Sequence, residues 1–162
     1  MQLSINRESL LKAINLIAKA ADKRHNMVIL GNIKLQLSES ALILTASDLE
    51  VELTSTLKLP AGACIEAGTT TLPATKLKDI CKSLPSQAQV NLTTQENERC
   101  LLTSGKSRFT LGTLPSEDYP SLGNPENITP LTISRSRLTD LIHKTQFAMA
   151  IQDVRYYLTG ML

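Results

Sequence analysis

The 162-residue sequence predicts an α+β fold made of one complete domain and the start of a second, and three observations carry that prediction. First, the stretch Leu131–Leu162 repeats the N-terminus without a gap: Leu131 falls on Leu3, Ile133 on Ile5, Arg135 on Arg7, Leu138 on Leu10, Ile142 on Ile14 and Leu158 on Leu30. A repeat of this kind reads as domain duplication. Second, inside the region that precedes the repeat, a helical period gives way to a period of two, and the same change happens again further on. Third, the basic residues gather in the helical segments and the acidic ones outside them. The expected organisation is a complete domain over 1–124, a linker over 125–130 and a truncated second domain over 131–162.

In the first half, residues 2–6 alternate as a short strand, and Asn6 or Ser9 is placed to cap the helix that follows. That helix is expected over 7–24, with Leu10, Leu11, Ile14, Ile17, Ala18 and Ala21 on one face and Lys12, Asn15, Lys19 and Lys23 on the other; Leu16 breaks the polar stripe. Residues 27–38, 41–47 and 49–59 are β-branched and alternate, which predicts an antiparallel meander of three strands. Pro60-Ala61-Gly62 ends it.

The second half repeats the scheme. Residues 69–72 form a strand, Pro73 suits the turn into a helix over 75–83, and Leu77, Ile80, Cys81 and Leu84 make its buried face, with Lys76, Lys78 and Lys82 outside. Strands are expected at 89–94, 100–104 and 107–114. The turn formers of 114–120 and 124–127 carry no periodicity and read as linker. In the second domain, 131–133 opens as a strand, a helix over 134–146 turns Leu138, Leu141, Ile142, Thr145 and Met149 inward, and 154–162 is a strand with an unpaired edge.

Composition excludes several classes. No apolar run approaches the roughly 18 residues of a membrane span, and residues 1–7 lack the features of a signal peptide, so a cytoplasmic location with no membrane partner is expected. Cys64, Cys81 and Cys100 are far apart and without Cys-x-x-Cys pairing, which predicts buried small hydrophobes in place of a disulfide framework or zinc site. Gly105-Lys106-Ser107 ends like a phosphate-binding loop, but Cys100 stands where that motif needs glycine. Asp48, Glu50 and Glu52 alternate, and as strand residues they read as a solvated face over buried Leu49, Val51 and Leu53. His25 and His143 have no triad spacing and are expected at the surface. Neither cofactor nor metal is indicated, and an enzyme is the least favoured class.

The expected helices hold eleven Lys and Arg against four Asp and Glu, while the rest of the chain holds six against eleven. A basic helical side on an acidic remainder is the footprint of a polyanion partner. The contacts it implies go to phosphates and read no base sequence. Aromatic residues are sparse, so extended base stacking is not expected; adjacent Tyr156 and Tyr157 alternate into and out of the strand expected there.

The blocks Ile29-Leu30-Gly31-Asn32, Thr45-Ala46-Ser47-Asp48-Leu49-Glu50, Ser104-Gly105-Lys106-Ser107-Arg108-Phe109, Thr113-Leu114-Pro115 and Gln152-Asp153-Val154-Arg155-Tyr156-Tyr157-Leu158 closely resemble the bacterial DNA sliding clamp family, the β subunit of DNA polymerase III. The resemblance runs through the whole chain in order and covers less than half of the family's usual three domains. It implies a clamp-domain fold and a non-catalytic processivity factor: a head-to-tail homodimeric ring that encircles duplex DNA and tethers the replicative polymerase, with that polymerase and a clamp loader as partners. It further implies that Arg24, Lys82, Gln152, Tyr156 and Tyr157 contact DNA, beside the charge-derived candidates Lys12, Lys19 and Lys23. Lys76, Arg99, Lys106, Arg108 and Phe109 match the first-domain side of the ring interface, and Arg155 and Leu158 one wall of a cleft for partner peptides. Thr75 replaces a basic residue often found in the family, and Val28 a proline. The competing expectation is a free-standing nucleic-acid-binding or regulatory module that acts as a decoy on the clamp loader or a full-length clamp.

Overall fold

Every strand of the first domain belongs to one of two sheets, and each sheet is completed by a strand from the other half of the chain. The computed structural model describes residues 1–21, 27–123, 129–151 and 154–161. It separates into two units, Met1–Gly123 and Asn124–Leu162. In the first, the order is β1 (Gln2–Asn6), α1 (Arg7–Ile17), β2 (Asn32–Leu37), β3 (Ala41–Ser47), β4 (Glu52–Lys58), β5 (Cys64–Glu66), β6 (Gly68–Pro73), α2 (Ala74–Ser83), β7 (Gln89–Gln95), β8 (Arg99–Ser104) and β9 (Ser107–Gly112).

The sheets run β5-β1-β7-β8-β9 and β4-β3-β2-β6. Strand β1 lies antiparallel to β7, with Leu3 opposite Leu92 and Ile5 opposite Val90; β6 lies antiparallel to β2, with Leu72 opposite Ile33. The strand that opens each half therefore joins the meander of the other. Neither half closes its own sheet, so the duplicated halves form one domain.

The core lies between the helices and these sheets. Leu10, Ile14 and Ile17 of α1 and Leu77 and Cys81 of α2 are at most 1% exposed and belong to one apolar cluster with Leu35, Leu44, Leu92 and Leu102. Each such leucine or isoleucine contributes about 1.5–3 kcal/mol by leaving water. Asn6 caps α1 from an extended backbone and accepts a hydrogen bond from the Glu8 N–H at 2.9 Å, so one of the orphan donors at the helix start is satisfied. Leu16 is 62% exposed, as its place on the polar stripe required.

Several expected boundaries are corrected. Helix α1 ends at Ile17, not at residue 24, and the chain turns through 18–20 with Ala20 buried. Residues Val28–Gly31 form a 3-10 turn, not the start of a strand, because consecutive Ile29 and Leu30 are both buried and an alternating strand hides only one of two neighbours. Strand β4 starts at Glu52: Asp48 Oδ1 accepts hydrogen bonds from the N–H groups of Glu50 and Val51, making a hairpin tip in which Leu49 and Val51 are exposed, not buried. The short β5 was not expected.

The stretch expected as linker is in part a strap on the first domain. Thr71 Oγ1 donates to the carbonyl of Leu114 at 2.9 Å and accepts from the Leu114 N–H at 3.0 Å, while Glu52 Oε2 accepts from the N–H of Leu122 at 3.2 Å. Tyr119 is 5% exposed.

In the second unit, α3 (Arg135–Thr145) begins with Ser134 Oγ accepting from the Arg137 N–H, and Tyr156–Thr159 form a 3-10 turn. These are the repeat equivalents of Asn6, α1 and Val28–Gly31, all displaced by the same number of positions. The strands expected at 131–133 and 154–162 are not formed among the described residues: a strand needs a partner for its backbone groups, and this unit contains none there. For the same reason Leu138, Leu141 and Ile142, expected inward, are 46%, 49% and 36% exposed.

Candidate functional site

Two surfaces of the first unit gather exposed cations. The first is the outer side of the helix pair. Helices α1 and α2 pack on each other, and since their apolar faces both enter the core their polar faces point away from it. Lys12 on α1 and Lys82 on α2 are exposed there, as is Lys19 in the turn after α1; Lys78 is half-buried. No Lys12, Lys19 or Lys82 ion pair occurs among the described residues. Lys23, Arg24 and Gln152 lie outside the described residues. Tyr156 and Tyr157 stand on the 3-10 turn of the second unit, where the strand alternation expected for them does not apply; Tyr157 is 67% exposed.

Arg7, counted with the cations of the helical face, is turned inward. Its Nε donates to the carbonyl of Cys81 at 2.6 Å and its Nη2 to that of Lys82 at 3.2 Å, in the last turn of α2. Sequence held one signal of this: a cation in the first turn of a helix has the wrong sign for the helix dipole, and such a residue calls for another partner.

The second surface is the ribbon β8–β9. A two-residue tip, Gly105-Lys106, places Ser104 opposite Ser107, Leu102 opposite Phe109 and Arg99 opposite Gly112. Gly105 has φ +54°, the left-handed conformation such a tip demands. Alternation from that tip, with the Thr113 N–H donating to the Glu98 carbonyl, turns the backbone groups of Arg108, Thr110 and Gly112 away from β8. Since β9 is the outermost strand of its sheet, these groups form an open edge. Lys106 and Arg108 flank it and are exposed, as is Arg99 on β8; Phe109 is half-buried against the core. The fold thus collects Arg99, Lys106, Arg108 and Phe109 on one ribbon. Lys76 is exposed on α2.

Arg155 and Leu158 share the 3-10 turn of the second unit, where the Leu158 N–H donates to the Arg155 carbonyl at 2.9 Å. Leu158 is 37% exposed.

Among the described residues no group of three or more His, Cys, Asp or Glu is placed to hold a metal. The acidic alternation of 48–52 is used structurally, in a hairpin tip and on the Leu122 N–H. Cys81 and Cys100 are buried, and burial pushes both thiols up to about 11, far from a nucleophile's range. No described helix is long and apolar enough to cross a membrane.

Comparison with known proteins agrees with the architecture. Residues 1–123 match the family described as DNA polymerase III beta subunit, N-terminal domain. The chain is 44% identical over 162 residues to the beta sliding clamp of Pseudomonas putida and 42% identical over 162 residues to that of Escherichia coli, covering 100% of this chain and 43% of each relative. The crystal structure of a DNA polymerase sliding clamp from Pseudomonas aeruginosa superposes with a TM-score of 0.92 at 43% identity, covering 99% of this chain and 43% of that one. For the Caulobacter crescentus pol III beta structure the TM-score is 0.91 at 32% identity, covering 99% and 42%. This chain spans less than half the length of these relatives.

Proposed function

The chain belongs to the DNA polymerase III beta subunit family, and from that premise we propose that it acts as the N-terminal portion of a non-catalytic processivity factor. In this reading the outer side of the α1–α2 pair faces duplex DNA, with Lys12, Lys19 and Lys82 toward phosphates; Lys23 and Arg24 are assigned to DNA as well, as are Gln152, Tyr156 and Tyr157 of the second unit. The open, basic edge of β9 with Lys76, Arg99, Lys106, Arg108 and Phe109 is one side of a head-to-tail ring junction whose other side is acidic. Arg155 and Leu158 form part of a cleft for peptides of the replicative polymerase and clamp loader. The complete protein works as a homodimeric ring in the cytoplasm and needs no cofactor.

One observation carries the reading: unpaired cations stand on both helices of a pair whose opposite faces are spent on the core. Such a surface attracts a polyanion through its charge and reads no sequence. The test is anisotropy of a labelled duplex titrated with the chain over a series of low salt concentrations. Lys82→Ala and Lys12→Ala are each expected to weaken binding and to lower the slope of log affinity against log salt by about 0.9. Unchanged affinity and slope in both variants would overturn the DNA-facing assignment.

A further inference from the structure

We infer that Arg7 is a positioning residue for the DNA face, acting through Lys82, and not a phosphate contact; the inference rests on the reading just proposed. The last carbonyls of a helix have no partner within it. At the end of α2 the Ile80 carbonyl accepts from the Leu84 N–H and from Ser83 Oγ, and the next two, of Cys81 and Lys82, accept from the Arg7 guanidinium. Arg7 thus supplies from α1 the cap that α2 lacks in its own sequence, and a cation there also suits the negative end of the helix dipole.

The guanidinium is itself held. Glu8 Oε1 lies 3.5 Å from its Nη1 and accepts from the Gln87 N–H at 2.7 Å, while the Arg7 N–H donates to the carbonyl of Ala88 at 2.9 Å. The Arg7 side chain is 16% exposed. Its repeat equivalent, Arg135, also starts a helix with a side-chain N-cap yet is exposed. Partial burial of Arg7 therefore comes from α2 and not from its position in a helix.

One of the two carbonyls Arg7 holds is that of Lys82, the α2 residue assigned to DNA. Fixing that carbonyl fixes where the lysine stem leaves the helix and sets it relative to Lys12 on α1. Without the cap the last turn of α2 frays, and ordering it again on DNA reduces affinity.

The test is a double-mutant cycle on duplex binding by the whole chain, at a temperature where circular dichroism shows every variant folded. Arg7→Gln is expected to weaken binding roughly two- to ten-fold and to leave the salt slope unchanged, whereas Lys82→Ala lowers the slope by about 0.9. In the Lys82→Ala background, Arg7→Gln is expected to cost nothing further. A general structural disturbance would weaken binding by the same factor in both backgrounds, and that additivity would overturn the inference. A slope reduced by Arg7→Gln would overturn it as well, by making Arg7 a phosphate contact. If Lys82→Ala weakens binding and Arg7→Gln does not, only the role of Arg7 is lost; if Lys82→Ala has no effect, the DNA face and the inference fall together.

Discussion

The hydroxyl of Tyr119 donates to the backbone carbonyl of Asn32 at 3.2 Å and accepts from the N–H of Ser47 at 3.1 Å. One side chain thereby bridges the start of β2 and the end of β3, two positions that are buried and adjacent in the sheet. Asn32 Nδ2 in turn donates to Thr71 Oγ1, which holds Leu114 on the other side of the strap. The segment after β9 is thus held by polar bonds at Leu114 and at Tyr119, those of Tyr119 being buried.

Tyr119→Phe keeps the ring and removes the hydroxyl, leaving the Ser47 N–H buried without its acceptor. A loss of about 1–3 kcal/mol is expected, measured by urea or thermal unfolding. Stability equal to that of the parent chain would show that the strap does not depend on this bridge.

Leu49 has φ +74° in the four-residue tip 48–51 between β3 and β4, the left-handed region that Gly105 occupies, at φ +54°, in the two-residue β8–β9 tip. A leucine is strained there and a glycine is not. Leu49→Gly is expected to raise stability by about 0.5–1 kcal/mol after the entropy of the added glycine is counted. The corresponding Gly105→Leu change should lower it.

Two leucines that the helical period places on opposite faces are packed accordingly. Leu77 is 0% exposed on the inner face of α2, and Leu16 is 62% exposed on the outer face of α1. Truncating Leu77 to alanine should cost about 2–5 kcal/mol, and truncating Leu16 no more than about 0.5 kcal/mol. Denaturant midpoints of the two variants measure the contrast.

The three cysteines should differ in reactivity. Cys81 and Cys100 are buried with thiols pushed up to about 11, while Cys64 is only partly buried. With iodoacetamide at about pH 8, where thiolate content controls the rate, mass spectrometry should find Cys64 alkylated first and the other two only on unfolding. Early labelling of Cys81 would mean that the end of α2 opens readily.

Acid should act partly through Glu8. The Gln87 N–H, ahead of the Arg7 charge, holds this carboxyl below its ordinary value of 4.5. A depressed folded value favours the folded state above the unfolded value, and that contribution disappears as pH falls through the folded one. Glu8→Gln is therefore expected to flatten the acid limb of the stability profile below the ordinary carboxylate range and to leave its shape near neutrality unchanged. An unaltered acid limb would show that the Glu8–Gln87 bond contributes nothing to folding.

Sequence by itself determined the duplication, the helix starts and the apolar faces of α1 and α2. Those features rest on local periodicity: Leu10, Ile14 and Ile17 recur at the helical period wherever the helix finally packs, and the repeat that aligns Asn6 with Ser134 predicted two helix starts that the structure places at equivalent positions. The exposed Lys12 and Lys82 were legible for the same reason. Tertiary structure alone decided which strands pair across the halves, where Val28–Gly31 tightens, that Tyr119 and Leu114 are strapped to the sheet, and that Arg7 turns away from solvent to hold α2. Each of these depends on residues tens of positions apart meeting, as Arg7 meets Cys81 and Tyr119 meets Asn32. A backbone carbonyl or N–H left open by one element is a demand that every sequence makes alike, and only the packed fold shows which distant side chain meets it.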